Sequence, residues 1–341
     1  MSTRFFVRTL LVLVFMAALG AESAQALVLK IGTLSPSGSS WMKKMEQGAD
    51  EVFKKTEGRV QFKYYPGGVM GDDQTMLRKM RIGQLHGGAI MTGALAGFYS
   101  DVQVFSLPLI FNNFNEVAYV RERMDQLLVD GLEKGGIISF GMADGGFAFL
   151  MSKAPIRSVS DLTKQKVWIP DQDNLALKAA QAIGVTPIPL SMADVRTGLQ
   201  TGLIDTVGVS PIGAVALQWH TQLKYLTEVP IIYIYATFMI TEEAYRKIDP
   251  ADRPVVREIM GRWFKEIDKE NMESNSRALE ALKNQGIQFI RPEGDVLAEW
   301  RRMGATTTED LIKSGRFHRD IIERLLNTID EYRKAHPDAG K

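Results

Sequence analysis

The chain has no cysteine. Disulfides, a thiolate metal site and a catalytic thiol are therefore excluded, as is a lipid anchor on an N-terminal cysteine. Histidine is scarce: His86, His220, His318 and His336 are the full set, and no two stand three or four residues apart, so no zinc-type helical pair exists. An excess of charge of either sign is also lacking. Lys+Arg total 41 and Asp+Glu total 40, a formal net charge of +1, which gives no electrostatic reason to expect a nucleic-acid partner. There is no basic block and no acidic tail.

Sequence signatures of catalysis are missing as well. No G-x-x-x-x-G-K-[ST] occurs, and Gly87, Gly88, Gly93 and Gly97 do not make G-x-G-x-x-G. "GVSPIG" (208–213) lacks the spacing of a nucleophile elbow. Asp72-Asp73 stand at an expected helix start, where capping is the usual work of such acids. These absences point to a binding role without cofactor or metal, not to an enzyme.

What is present is an ordinary globular composition, 45% hydrophobic and 24% charged, in 341 residues. That length suggests two domains. The first 26 residues read as a cleavable signal peptide. Arg4 and Arg8 precede the apolar run Leu10–Ala18, which is too short to span a bilayer, and Ala24-Gln25-Ala26 is a small-x-small cleavage site. A retained signal anchor is the alternative. The mature chain is expected to start near Leu27, exported and unanchored, in the periplasm if the host has two membranes. "IIYIYATFMI" (231–240) is apolar, but its length fits a buried strand.

The mature chain then alternates strand and helix. Strands are expected at "LVLKIGTL" (27–34), "RVQFKYYP" and "HGGAIMTG" (86–93), with helices between them that end near Gly58 and Gly83. A second unit repeats the grammar: strands at 136–144, 147–153 and "KVWIP", a helix over Leu175–Ile183, an extended "VTPIPL", a short helix capped by Ser191, and the strand "IDTVGVS". The class is α/β, with mostly parallel strands and helices on both faces. Pro250 to Gly286 reads as one unusually long helix, about 45 Å for roughly 30 residues at about 1.5 Å each. It either braces two domains or lies along one surface. "GIQFIRP" (286–292) returns as a strand, and two helices finish the chain.

Four stretches in order, "GRVQFKYYPGGVMGDDQTMLRKMRIGQLHGG", "SLPLIFNNFNE", "PIRSVSDLTKQKVWIP" and "GVTPIPLSMADVRTGLQTGLIDTVGVSP", behind a signal peptide, carry a resemblance. The chain resembles the DctP-type solute-binding proteins of tripartite ATP-independent periplasmic (TRAP) transporters over almost all of its mature length. The resemblance implies a two-domain periplasmic binding protein fold with mixed sheets, a ligand cleft between the lobes and a long bracing helix, at about 252–285. Domain I would comprise 27–146 and about 235–275, domain II 147–234 and about 276–325. The closed form would deliver its ligand to small and large TRAP membrane permease subunits.

In the family the ligand is typically an organic acid held by arginine, whose planar fork matches two oxygens at once. The resemblance puts that arginine in a K-[VI]-R-[VI]-P strand, where this chain has Trp168, and a second in a G-[FT]-R context, where it has Ala148. Lys164 replaces a usual glycine, a polar amide falls at Val209–Ser210, and an aromatic becomes Met192. The expected ligand surface is therefore apolar: Phe147, Ala148, Phe149, Trp168, Met192 and Val209, with Ser210, and with Trp41, Phe98, Tyr233 and Tyr235 from the facing lobe and hinge. The expected ligand is apolar or uncharged, or an amphiphile whose polar end meets Tyr233, Tyr235 or Ser37. Three alternatives stand beside it. Trp168 and Phe147 simply fill a core; or a relocated Arg78, Arg81 or Arg196 binds an acid; or the protein serves a lipid-transfer or efflux system as a periplasmic accessory.

Overall fold

The computed structural model describes residues 26–337. All of the expected signal peptide except Ala26 lies outside them. In chain order the strands are β1 Leu27–Thr33, β2 Val60–Tyr65, β3 Gly87–Met91, β4 Ile137–Ser152, β5 Val167–Pro170, β6 Ile188–Leu190, β7 Thr206–Val209, β8 Tyr225–Thr241 and β9 Gln288–Ile290. The helices are α1 Ser40–Lys55, α2 Asp73–Arg81, α3 Phe114–Lys134, α4 Val159–Leu162, α5 Asn174–Ala182, α6 Val195–Thr201, α7 Pro211–Ala216, α8 Glu242–Arg246, α9 Arg253–Asn284, α10 Gly294–Lys313 and α11 Arg319–Ala335.

Local chemistry sets most boundaries. Ser39 caps α1 through the Met42 amide and Asp72 caps α2 through the Thr75 amide, each satisfying an orphan N–H of the first turn. Gly202 sits in the left-handed region (φ 75°) and stops α6. Pro254 stands in the first turn of α9, where its missing N–H costs nothing. The Ser191 hydroxyl donates to the Asp194 carboxylate at 2.6 Å instead of capping a helix, and α6 begins three residues later than expected.

The strands form one nine-stranded sheet in the order β2-β1-β3-β8-β4-β7-β5-β6, with β9 also paired to β8. β2, β1 and β3 run parallel to each other, as do β6, β5 and β7. β8 and β4 are antiparallel to each other and to the neighbours that flank them, β3 and β7. The sheet is thus mixed, because two long strands join the two parallel sets. The break expected at residues 144–147 is a bend within β4, not an end. Register shifts between β4 and β8 fall at Ser139/Met142, Asp144/Gly146 and Ala148/Leu150, and Gly146 (φ 87°) absorbs the central one.

Apolar residues cover both faces of each half. In the first half, Leu29, Ile31, Phe238 and Ile240 pack under α1 and α9, and the other face packs under α2, α3 and α11. In the second half, Met151, Trp168 and Val207 pack with α6, α7 and the end of α9, while Leu150, Val167 and Val229 face α4 and α10. The 32-residue α9 contributes Val256, Ile259, Met260, Phe264 and Ile267 to the first half and Leu282 to the second.

Candidate ligand site where the two halves meet

The topology places the site. β3 ends at Met91, opposite Ala236 of β8, and β7 ends at Val209, opposite Phe149 of β4. Both ends point toward the middle of the β4–β8 ladder, so the C-terminal ends of the two parallel sets face each other across it. Loops after such strand ends are where α/β proteins usually hold ligands. The halves touch there. A Cβ on Gly93, after β3, would lie 3.1 Å from Asp173 Oδ2, after β5. Leu175 of α5 packs into the core of the first half, and Phe149 packs against the cores of both.

The expected apolar residues divide into two groups that share Phe149. Trp168, Met192 and Val209 belong with it to one cluster. Phe147, Tyr233, Tyr235 and Phe98 belong with it to the other. Trp168 is 5% exposed, its Nε1–H donates to Leu190 O at 3.0 Å, and its ring stands edge-on to Trp219 at 5.1 Å. Phe147 packs edge-on between Phe114 (4.8 Å) and Tyr233 (5.6 Å). Ala148 is buried opposite Ile232 on β8. Phe149 and Met192 are half-buried, which leaves them as the accessible edge of this surface.

The remaining expected residues are placed differently. Tyr233 and Tyr235 stack at 5.7 Å and are buried; the Tyr233 hydroxyl accepts from Arg121 at 3.2 Å, and the Tyr235 hydroxyl donates to Val102 O. Ser210 is buried and caps α7 through the Gly213 amide. Trp41 packs edge-on to Phe264 of α9 at 6.0 Å, in a cluster that Phe149 does not join. Ser37 is exposed. Arg196 is exposed and bonds Gln218 at 2.9 Å, Arg78 is exposed and bonds Thr75, and Arg81 is exposed with its guanidinium over the Phe98 ring at 5.9 Å.

Polar groups that were not among the expected site residues lie at the same junction. Asp73 is not a cap. Its Oδ2 accepts from the Met91 amide at 3.1 Å, its Oδ1 is buried without a partner, and burial pushes its pKa up to about 7. Asp173 caps α5 through Leu175 and Ala176, both at 3.0 Å, and burial raises its pKa. Arg316, in the turn between α10 and α11, donates from Nη2 to Gln103 Oε1, and Gln103 in turn donates to Gly93 O at 2.9 Å. Doublet acids gave a hint of Asp73. Nothing local marks Arg316, whose hydrogen-bond partner Gln103 lies 213 residues away in sequence.

Behind the junction lies a buried polar network. Arg121 of α3 bonds Asp125 at 2.8 Å, Asp268 of α9 at 2.7 Å and Met142 O at 3.1 Å. Asp144, at the bend in β4, takes Asn275 on its Oδ2 at 3.0 Å and donates its own amide to Asp268 at 2.6 Å. Asn271 donates to Asp144 O at 2.8 Å. Burial pushes the Asp144 carboxyl up to about 6.

Two α/β halves hung on a pair of continuous strands, with the C-terminal ends of both parallel sets turned toward each other, define a two-lobed α/β architecture of the binding-protein type. The family described as bacterial extracellular solute-binding protein, family 7 (DctP) matches residues 31–314, and the chain belongs to it. It is 24% identical over 258 residues to the C4-dicarboxylate-binding periplasmic protein DctP of Rhodobacter capsulatus, covering 73% of this chain and 76% of that one. Two solved TRAP-type proteins share the fold. The sugar acid binding protein of Advenella mimigardefordensis, in complex with galactonate, superposes with a TM-score of 0.81 at 19% identity, covering 90% of this chain and 99% of that one. A TRAP periplasmic solute-binding protein of Desulfovibrio salexigens, with bound orotic acid, gives 0.79 at 18%, covering 90% and 99%. Proteins of this family are periplasmic, bind small molecules without transforming them and work with TRAP permease subunits. Among the described residues no helix is long and apolar enough to cross a membrane.

Proposed function

We propose that this protein captures a small molecule with a largely apolar body between its two halves and presents it to a TRAP permease. The observation that carries this is the Phe149 surface. Phe149 packs on the cores of both halves, beside Met192, and Trp168 has its only donor already satisfied. Such a surface favours apolar area at about 25 cal/mol per Å², so burying about 200 Å² of ligand contributes about 5 kcal/mol. It offers a carboxylate nothing, and an acid buried without a cation there costs several kcal/mol.

A second reading, an organic acid, draws support from the acids named for the solved relatives. It requires a cation at the junction; the three arginines singled out in the sequence are exposed, and the half-buried guanidinium that stands there is that of Arg316. Mass spectrometry of compounds extracted under denaturing conditions from the purified protein separates the two. The proposal expects a compound dominated by aromatic, terpenoid or fatty carbon. A compact dicarboxylate or keto acid as the tight ligand would overturn it.

A further inference from the structure

Three chain segments pass from one half to the other, and they cross at one buried point. β4 packs in the first half through Ala143 and in the second through Leu150. β8 runs beside it, with Phe238 in the first half and Leu226 in the second. α9 packs on the first half through Ile267 and on the second through Leu279 and Leu282. Between those anchors α9 turns Asp268, Asn271 and Asn275 onto Asp144 of β4. Asn275 spans the crossing. Its Nδ2 donates to Asp144 Oδ2 at 3.0 Å, and its Oδ1 accepts from the amide of Ile212, in α7 of the second half, at 3.4 Å. From the first half Arg121 reaches Asp268 at 2.7 Å and Asp125 at 2.8 Å. Rotation of one half against the other therefore pulls on the groups that surround Asp144.

Charge at the crossing does not balance. α3 supplies Arg121 and its partner Asp125, α9 supplies Asp268 with the neutral Asn271 and Asn275, and β8 supplies the Tyr233 hydroxyl. α7, with the sequence Pro-Ile-Gly-Ala-Val-Ala, brings no ionisable side chain. Asp125 and Asp268 both pair with the guanidinium, whereas Asp144 takes only the Asn275 amide and its Oδ1 is buried without a partner. One guanidinium does not balance three carboxylates shut from water, and a proton on Asp144 relieves the excess. Burial holds that carboxyl at about 6; Asp268 adds to the rise, while Tyr233 and Arg121 oppose it. We propose that Asp144 is a proton-operated latch at the hinge: a proton on its carboxyl favours the approximated halves, and loss of that proton favours their parting. When the halves part, the bridge from Asn275 to Ile212 opens, water reaches Asp144, and its carboxyl returns toward the ordinary range. A group that holds its proton more tightly in the approximated state stabilises that state at low pH, and the contribution is lost as pH rises through about 6. The latch acts whatever class of molecule the halves enclose.

The lack of cysteine allows a direct test. Ile82→Cys and Leu203→Cys place a donor and an acceptor dye at exposed positions, one in each half, each just before a strand that runs to the junction. Single-molecule energy transfer is recorded between pH 4.5 and 7.5 on the full mature protein, stripped of bound small molecules by denaturation and refolding. The ratio of approximated to parted molecules is expected to fall about tenfold between about pH 5 and pH 7.5, levelling off above about pH 6.5. Asp144→Asn keeps the acceptor for Asn275 and mimics the protonated side chain, so its ratio is expected to stay at the low-pH value throughout. Asn275→Ala removes the bridge to Ile212 and is expected to shrink the pH response. A ratio indifferent to pH in the labelled parent would overturn the latch. So would a pH response that survives Asp144→Asn, which would trace the effect to another carboxyl such as Asp73. If Asp144→Asn does not fold, Asn275→Ala decides: a full response in that variant would overturn the proposal.

Discussion

The indole of Trp168 has its donor taken by Leu190 O and its ring edge-on to Trp219, at 5% exposure. Arginine at this position would bury a guanidinium against the apolar side chains of Val195, Leu199 and Val207. Trp168→Arg is therefore expected to destabilise the fold by about 3–5 kcal/mol, read by urea denaturation. Trp168→Phe keeps most of the apolar volume but leaves Leu190 O without its partner, and about 1–2 kcal/mol is expected to be lost. A Trp168→Arg variant as stable as the wild type would show that the indole is not part of the core. The sequence placed Trp168 correctly at a strand end but could not tell core from site. The deciding partner, Leu190 O, is twenty-two residues away and enters through the pairing of β5 with β6. Ser37 and Arg196, read as site residues, are both exposed, and local spacing does not say which way a loop or a short helix turns.

At the scale of elements, caps and stop glycines were legible because they act within one turn, as at Asp72 and Gly202. Helix α3 was legible in principle: Asn113 caps it, and Val117, Val120, Met124 and Leu128 mark its buried stripe. Continuity of β4 was not legible, because Gly145-Gly146 looks like a turn until α9 packs against it. Gly146 cannot carry a Cβ, which would lie 2.5 Å from the Asn275 amide. The bend is thus fixed by side chains of α9, and Asp144 is the residue through which they hold it. Its pKa is pushed up to about 6 by burial, from an ordinary 3.8, despite Arg121 nearby. Between about pH 4 and pH 6 the folded protein keeps a proton that the unfolded chain releases. Stability from this group is therefore highest at low pH and falls as pH rises through that window, by on the order of 1–3 kcal/mol. Asp73, pushed up to about 7, adds a slope of the same sign. Asp144→Asn should remove its own share. Denaturation curves at pH 4.5, 5.5, 6.5 and 7.5 are expected to show a smaller decline in the variant than in the wild type, and parallel curves would mean that Asp144 titrates normally.

At the scale of the whole molecule, alternation of strand and helix was enough to foresee two parallel sets, but not how they face. That depends on β4 and β8 running antiparallel through both, a long-range pairing that no window of sequence contains. The consequence is a molecule whose halves are tied by two strands and the long helix α9 and meet again through Leu175 of α5, through α10 and through the loops after the strand ends. Gly93 is one of those meetings. Leucine there would put its Cβ 3.1 Å from Asp173 Oδ2 and three further carbons into the gap between the halves. Gly93 lies in a short 3₁₀ turn with no unusual φ, so the backbone accepts a side chain and the crowding falls chiefly on Asp173 of the other half. A ligand held by both halves binds only the approximated state, so a wedge that disfavours that state lowers affinity by the same free energy. Gly93→Leu is expected to lose co-purified ligand, to rebind that ligand at least tenfold more weakly, and to show a larger radius of gyration by small-angle scattering than the ligand-loaded wild type. Its ligand-free melting temperature should stay within about 3 °C of the wild type, since no core cluster is touched. Full retention of ligand at an unchanged radius would show that the halves do not need to meet at Gly93 and Asp173 for binding.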